Sequence, residues 1–226
     1  GGKNGLGLSA MINGTGFMVA DSTLKRLGGW CTGTISEDME MTVLCTLADV
    51  KVHWVPLART FDEQPLTLAQ SNCQRRRWTS GTFQVAQAYL PRVGQGLTLR
   101  PALSLADMGI TLLLPAYQLA MLLNLTVGAL SAFFGGSTIQ EGMGRLLAYG
   151  GSSLAFTALV TTLSVVLVLT VEGKWDRRLW KAVGVYWLFL LTWLPITAAS
   201  LVKGTTSWEQ IRHTRSIRAE AVLVKK

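Results

Sequence analysis

The sequence contains few charged residues and few of the side chains that usually bind metals. Only 15% of its 226 residues are charged, whereas a soluble domain normally has about 25%. The three cysteines are widely spaced without a C-x-x-C pair, and the two histidines stand alone. These shortages argue against a metal centre and a disulfide framework, and they favour free thiols in a reducing compartment.

The missing charge is concentrated in the second half of the chain. Three stretches there contain no charged residue: 108–140, 146–171 and 182–202. At about 1.5 Å per residue, each is long enough to cross a bilayer core of about 30 Å. A large soluble helical core is the alternative, but helices buried in soluble proteins are usually shorter. We therefore expect transmembrane helices at about 108–134, 147–171 and 180–202.

The two ends of the chain lead to separate expectations. It begins GGKNGLGLSA, without an initiator Met, a signal peptide or a transit peptide, and we expect it to be cut from a longer reading frame. The tail, residues 203–226, is rich in Lys and Arg and contributes to a net charge of +8. In a membrane protein such a tail favours contact with anionic lipid over nucleic-acid binding.

The first hundred residues carry more charge and are typical of a globular domain. Residues 51–58 alternate and include β-branched and aromatic side chains, which predicts a strand. Helices are predicted at 24–27, after Ser36 and over 65–89. This alternation predicts the C-terminal part of an α/β domain over residues 1–90. An interfacial segment, an all-α transmembrane region and the basic tail would follow, at 91–107, 108–202 and 203–226.

Two groups of polar residues in this domain suggest chemistry. Glu37 and Asp38 follow a Gly/Thr loop, where a carboxylate can project into a cleft, although acidic residues also favour the first turn of a helix. Gln74, Arg77 and Trp78 lie at i, i+3 and i+4, so a helix places all three on one face. Such a face suits a diphosphate and a sugar ring, because a guanidinium binds phosphate oxygens in pairs. A solvated arginine run with an interfacial Trp is the alternative.

A glycine-rich loop, Asn13-Gly14-Thr15-Gly16, precedes both groups. The order of this loop, Glu-Asp, Q-x-x-R-W and apolar stretches resembles processive family 2 glycosyltransferases, a group that includes cellulose, hyaluronan and poly-N-acetylglucosamine synthases. The resemblance covers about the first 90 residues of the chain. The matching segments are residues 13–16, Ser36-Glu37-Asp38, Asp62-Glu63-Gln64-Pro65 and Gln74-Arg75-Arg76-Arg77-Trp78.

The resemblance implies a GT-A catalytic domain and an inverting transfer from a UDP-sugar to a growing polysaccharide. Asp38 would be the catalytic base that takes the proton from the acceptor hydroxyl. Glu37 would orient it or cap the helix. Gln74 and Arg77 would compensate the charge of the departing nucleoside diphosphate.

The sugar-binding residues follow from the same resemblance. Trp78 would form the floor of the acceptor site. Gly14, Thr15 and Gly16 would let the backbone approach the sugars closely. The implied partners are a UDP-sugar donor, a glycan acceptor and membrane lipids, with no nucleic acid. The implied location is a bacterial cell membrane that the chain crosses several times, with the catalytic domain in the cytoplasm.

A divalent metal, Mg²⁺ or Mn²⁺, is also implied, held with the nucleotide by a D-x-D pair. No D-x-D occurs in the 226 residues. We therefore expect the metal to be bound mainly by residues absent from this chain, and the chain alone to be inactive.

Other functions remain open from the sequence. They are transfer of a single sugar to a lipid carrier, a silent regulatory transferase, and a transporter or membrane scaffold. A transporter predicts ionisable groups within its spans, whereas Gln118 and Asn124 are the polar candidates there and neither is charged. An intact Asp38 argues against a silent regulator.

The membrane topology is also left open. A cytoplasmic catalytic domain followed by three crossings places the basic tail outside, whereas the positive-inside rule places it inside. A re-entrant piece within residues 108–140 is one solution, since this stretch is long for one crossing. In the tail, Trp208, Thr214 and Arg215 faintly resemble a motif of hyaluronan-type synthases, with a basic juxtamembrane helix as the alternative.

Overall fold

The computed structural model describes residues 2–205 except 7, 59, 61, 101 and 174. The tail motif at Trp208, Thr214 and Arg215 lies outside the described residues. The described residues fall into two compact units, one containing residues 2–115 with 200–205 and the other Ala116–Ala199. The helices are α1 Gly2–Gly5, α2 Asp21–Leu27, α3 Glu37–Leu47, α4 Leu68–Leu99, α5 Leu103–Phe134, α6 Ile139–Val171, α7 Trp180–Leu191 and α8 Trp193–Val202, with a 3₁₀ turn at Arg177–Leu179.

The expected α/β domain over residues 1–90 is wrong, because the described residues form helices and loops without a strand. The segment predicted as a strand, 51–58, is a loop with a turn near its end, and Ala10 N–H donates to the Val52 carbonyl at 2.9 Å. The backbone N–H groups that would pair with a neighbouring β-strand bond to side chains instead. Val52 N–H donates to Ser9 Oγ at 2.9 Å and Trp54 N–H donates to Asn4 Oδ1 at 2.8 Å. Alternating side chains favour a strand, but a sheet needs repeated backbone pairing.

The two predicted short helices are present, but neither begins with a side-chain cap hydrogen bond. α2 covers the predicted 24–27 and ends at Gly28, whose φ of 84° closes the helix in the left-handed region. α3 begins at Glu37, directly after Ser36. Its first turn carries three carboxylates, which the partial positive charge of a helix N-terminus favours.

The long helix α4 starts where a capping box satisfies its first amides. Thr67 Oγ1 accepts the Gln70 N–H at 3.2 Å, and Gln70 Oε1 accepts the Thr67 N–H at 3.3 Å. The helix was predicted over 65–89, and it continues through Pro91 to Leu99. Packing of Val93 into the core supports this extension beyond the proline.

The core of the first unit joins α3, α4 and the first turns of α5. Its buried members are Val43, Val85, Val93, Leu105, Met108 and Leu112. Full burial of each such side chain contributes about 1.5–3 kcal/mol. A second cluster of Ile12, Met41 and Cys45 lies on another face of α3. Both clusters hold α3 in place, and α3 carries the Glu-Asp pair at its start.

Three helical stretches are long and apolar enough to cross a membrane, judged by length and composition. They are Leu103–Phe134, Ile139–Val171 and Arg177–Val202. The third is interrupted at Thr192, which separates α7 of 12 residues from α8 of 10. Within the second unit, Thr197 Oγ1 donates to Gln118 Oε1 at 2.7 Å, so the polar group of Gln118 has a partner inside an apolar stretch.

Candidate functional site

Asp38 lies beside the glycine-rich loop. It is the second residue of α3 and is partly buried. Its Oδ1 accepts the Met39 N–H at 2.7 Å. Its Oδ2 faces Gly14, where a Cβ would lie 3.5 Å from that oxygen. The structure therefore brings together two features that are 24 residues apart in the sequence, the loop and the carboxylate.

The glycine-rich loop depends on Gly16 for its course. Gly16 has a φ of 70°, and a Cβ at this position would overlap the side chain of Thr60. Both the backbone conformation and the lack of space therefore require glycine here. Thr15, between the two glycines, is exposed. Glu37, next to Asp38, is also exposed.

The Q-x-x-R-W residues lie on α4 near its contact with the start of α3. Gln74 and Arg77 are partly buried, and Trp78 is 44% exposed. One turn further along α4, Gly81 is buried, and a Cβ on it would overlap the side chain of Ser36. Because Ser36 directly precedes Glu37, this close approach places the start of α3 within about two helical turns of the Q-x-x-R-W residues.

Glu40 is a residue of the site that sequence interpretation missed. Its Oε2 accepts N–H groups from Gly33 and Thr34 at 2.9 and 2.8 Å, and its Oε1 accepts the Tyr89 hydroxyl at 2.7 Å. Only 3% of the residue is exposed. Burial raises the pKa of Glu40, but these hydrogen bonds outweigh burial and hold the pKa below its ordinary value.

A signal for Glu40 was present in the sequence. Glu40, Val43 and Leu47 share one face of α3 at i, i+3 and i+7, and both apolar residues belong to the core. A carboxylate on an apolar face needs hydrogen-bond donors, because burying an unpartnered charge is costly. Here the donors are the loop before α3 and Tyr89 of α4, so Glu40 fixes the loop that leads to Asp38.

Comparison with known proteins decides the family. Residues 3–202 match the family described as glycosyl transferase family group 2. The chain belongs to this family. Over 81 residues it is also 32% identical to the probable glycosyltransferase YdaM of Bacillus subtilis (strain 168). That match covers 36% of this chain and only 19% of the relative. No solved structure matches the chain.

Membership of this family confirms the expected family, and it draws attention to the arginine run before Trp78. The three arginines differ in their surroundings. Arg75 is 2% exposed, and its guanidinium donates to the Ser71 carbonyl at 3.4 Å and to Asn72 Oδ1 at 2.5 Å. Burial lowers the pKa of Arg75. Arg76 donates to the Lys203 carbonyl at 2.6 Å. Arg77, the residue of the motif, is partly buried.

The described residues do not supply a metal site. In that part of the chain, no group of three or more His, Cys, Asp or Glu side chains is arranged to hold a metal ion.

Cys45 is buried, and burial raises the pKa of its thiol. Cys31 and Cys73 are exposed.

Proposed function

We propose that this chain belongs to an inverting glycosyltransferase that transfers sugar from a UDP-sugar to a growing polysaccharide at the cytoplasmic face of a bacterial membrane. The observation that carries the proposal is the position of Asp38. Its carboxylate stands at the start of α3, with Oδ1 held by the Met39 amide and Oδ2 turned toward the glycine-rich loop. The family of the chain supports the reaction class.

Asp38 acts as the base in the proposed reaction. The acceptor hydroxyl oxygen attacks the anomeric carbon of the donor, and the bond from that carbon to the diphosphate oxygen breaks. The hydroxyl proton passes to Asp38 Oδ2, the oxygen that faces Gly14. One carboxylate suffices because inversion needs no covalent intermediate. The exposed Glu37 then serves to orient the site or to stabilise the helix start.

The face of α4 binds the leaving group and the acceptor in this proposal. Arg77 and Gln74 offer hydrogen-bond donors to the diphosphate as its negative charge grows. Trp78, which is 44% exposed, offers a flat apolar surface to a sugar ring. The backbone of residues 14–16 approaches the sugars, with Thr15 exposed between the two glycines.

The metal and the nucleotide need further residues. The described part of the chain provides no cluster for a divalent cation, and the sequence has no D-x-D pair. We therefore propose that Mg²⁺ or Mn²⁺ binds mainly through residues outside this chain, and that the chain by itself is inactive. The steps assigned to Asp38, Gln74, Arg77 and Trp78 do not pass through the metal.

The apolar helices favour coupling of synthesis to export. Three stretches long enough to cross a membrane lie in the same chain as Asp38, so a processive enzyme could pass its product through them. A non-processive enzyme that adds one sugar to a lipid carrier is the second candidate. The length of the product distinguishes the two, because only a processive enzyme releases long polymers from single binding events.

The test uses the full-length protein in membrane vesicles with a panel of UDP-sugars and Mg²⁺ or Mn²⁺, and it follows UDP release. We expect Asp38→Asn to lower UDP release by about 10²–10⁴-fold, the usual contribution of a positioned base. Asp21→Asn is the matched control, since Asp21 is exposed and pairs with Lys25 on the surface of α2. Undiminished release in Asp38→Asn would refute the mechanism, and no release with any donor would refute the UDP-sugar assignment.

A further inference from the structure

The side chain of Gln84 in α4 connects two separate backbone segments of the first unit. Its Oε1 accepts the Ile35 N–H at 3.2 Å, and its Nε2 donates to the Thr205 carbonyl at 3.2 Å. The partners settle which end of the amide is which, because an N–H can only donate and a carbonyl can only accept. A glutamine therefore fits both contacts at once, whereas a carboxylate or an apolar side chain would lose at least one.

The segment at Thr205 is held along one face of α4. Thr205 N–H donates to Ser80 Oγ at 3.2 Å, and Arg76 donates to the Lys203 carbonyl at 2.6 Å. Arg76, Ser80 and Gln84 follow one another at intervals of four residues, so they line one face of the helix. Residues 203–205, which directly follow α8, therefore dock on α4 through their backbone. In these three contacts, side chains of α4 bond to backbone atoms of the segment.

The other contact of Gln84 is with the residues that lead into Asp38. Ile35 bonds to Gln84, and Ser36 packs against Gly81 so closely that a Cβ there would overlap it. Asp38 follows Ser36 by two residues and lies in the first turn of α3. A shift of Ile35 and Ser36 along α4 would therefore move the start of α3 and its carboxylate.

We propose that Gln84 is a positioning residue through which docking of residues 203–205 on α4 sets the position of Asp38. This inference rests on the proposed function, because it assumes that Asp38 is the base. It assigns Gln84 no contact with the substrate. Release of residues 203–205 leaves the Gln84 amide without its acceptor, loosens its hold on Ile35 and displaces the carboxylate. Turnover then falls while donor binding is retained.

Three variants test separately the hydrogen bonds that Gln84 makes to Ile35 and Thr205 and the bond of Ser80 to Thr205. Gln84→Glu keeps an acceptor for the Ile35 N–H but loses the donor to Thr205. Gln84→Met keeps the length of the side chain and loses both bonds. Ser80→Ala removes only the acceptor for the Thr205 N–H. Gln87→Glu and Gln87→Met are matched controls, because Gln87 lies on the same helix and is exposed.

The first measurement is the kcat and KM of UDP release by the full-length protein in vesicles. A displacement of about 1 Å can cost about 10²-fold in rate. We expect kcat to fall about tenfold in Gln84→Glu and about 100-fold in Gln84→Met, with the KM of the donor changed less than about twofold. The Gln87 variants should stay within about twofold of wild type. The double variant Ser80→Ala/Gln84→Glu should lose no more than its worse single variant, because both act by releasing the same segment.

The second measurement does not depend on activity. Thr205→Cys, in a protein with Cys31→Ser and Cys73→Ser, is labelled with a maleimide, and the same protein without Thr205→Cys gives the background. We expect Gln84→Glu to raise the labelling rate several-fold and Gln87→Glu to leave it unchanged. A labelling rate unaffected by Gln84→Glu would overturn the docking.

The remaining outcomes separate the two proposals. Faster labelling with an unchanged kcat in Gln84→Glu would overturn the link to Asp38 and leave the proposed function intact. A rise in KM with unchanged kcat would also overturn the positioning role. A wild-type protein that releases UDP from no donor refutes the proposed function, and with it the role of Gln84 in catalysis, whatever the labelling shows. Should Gln84→Met fail to accumulate in membranes, Gln84→Glu and Ser80→Ala decide the result.

Discussion

The hydroxyl of Tyr89 in α4 donates a hydrogen bond of 2.7 Å to Oε1 of Glu40 in α3. The same carboxylate accepts two amides from residues 33–34, so one side chain ties the loop before α3 to a second helix. Arg92 lies over the Tyr89 ring, 5.6 Å from its centre. Glu40 and Tyr89 therefore form a buried polar contact between the two helices that carry the proposed catalytic residues.

Removal of the Tyr89 hydroxyl should weaken this contact without changing the core. We expect Tyr89→Phe to lower the free energy of unfolding by about 1.5–3 kcal/mol, since the bond goes to a charged group. Tyr117→Phe is the control, because the Tyr117 side chain is 65% exposed. Unfolding of the detergent-solubilised proteins by denaturant measures the difference, and equal effects of the two variants would contradict the role of Tyr89.

The stability should depend on pH through Glu40. Its hydrogen bonds hold the folded-state pKa below the ordinary value of 4.5, so folding favours the ionised form. The stabilisation is therefore complete above the ordinary pKa and is lost as the pH falls through the lowered folded pKa. We expect the difference in melting temperature between wild type and Glu40→Gln to be largest near neutral pH. That difference should shrink at acid pH, and one that stays constant down to pH of about 3 would exclude this linkage.

Glycine at position 81 should be required because of the close approach of Ser36. A Cβ at Gly81 would overlap the Ser36 side chain. We expect Gly81→Ala to destabilise the protein by about 1–3 kcal/mol, as overpacking usually does, and to lower kcat by moving the start of α3. Gly94→Ala is an informative control on the same helix, since a Cβ there meets no atom within 4 Å. Gly94→Ala should raise the free energy of unfolding by about 0.5–1 kcal/mol. A similar loss of stability in both variants would show that alanine in α4, and not the contact with Ser36, causes the effect.

The contacts of residues 203–205 with α4 bear on the topology that the sequence left open. Residues 203–205, which follow α8, bond to α4, so we expect this segment and α4 to lie on the same side of a membrane. We expect Gln87→Cys on α4 and Thr205→Cys to react with a membrane-impermeant maleimide from the same side of sealed vesicles. Labelling from opposite sides would contradict the docking of residues 203–205.

Placement of α4 and residues 203–205 on one side of the membrane also restricts how often the chain between them crosses it. We therefore expect an even number of crossings between α4 and residue 203, which three single complete crossings of the apolar stretches would not give. The interruption at Thr192 leaves helices of 12 and 10 residues. At about 1.5 Å per residue, each alone is shorter than a bilayer core of about 30 Å.

The error in the predicted fold class has a physical origin. Alternation over residues 51–58 predicts an extended backbone, but it does not say which groups satisfy the amides. Asn4 and Ser9 bond to this segment from residues more than 40 positions away. A local sequence pattern does not reveal such distant partners. Tertiary contacts therefore decide whether the backbone N–H groups pair with another strand or with side chains.

The sequence by itself determined the family, the apolar stretches, the presence of α2, the start of α3, and the residues proposed for chemistry. These properties are local, because capping, periodicity and motif order act over a few turns of chain. Only the tertiary structure decided that Asp38 faces Gly14, that Glu40 is a buried hydrogen-bond acceptor and that Gln84 bonds to both Ile35 and Thr205. Each of these contacts joins separate segments, and their positions depend on how α3 and α4 bury their apolar faces together.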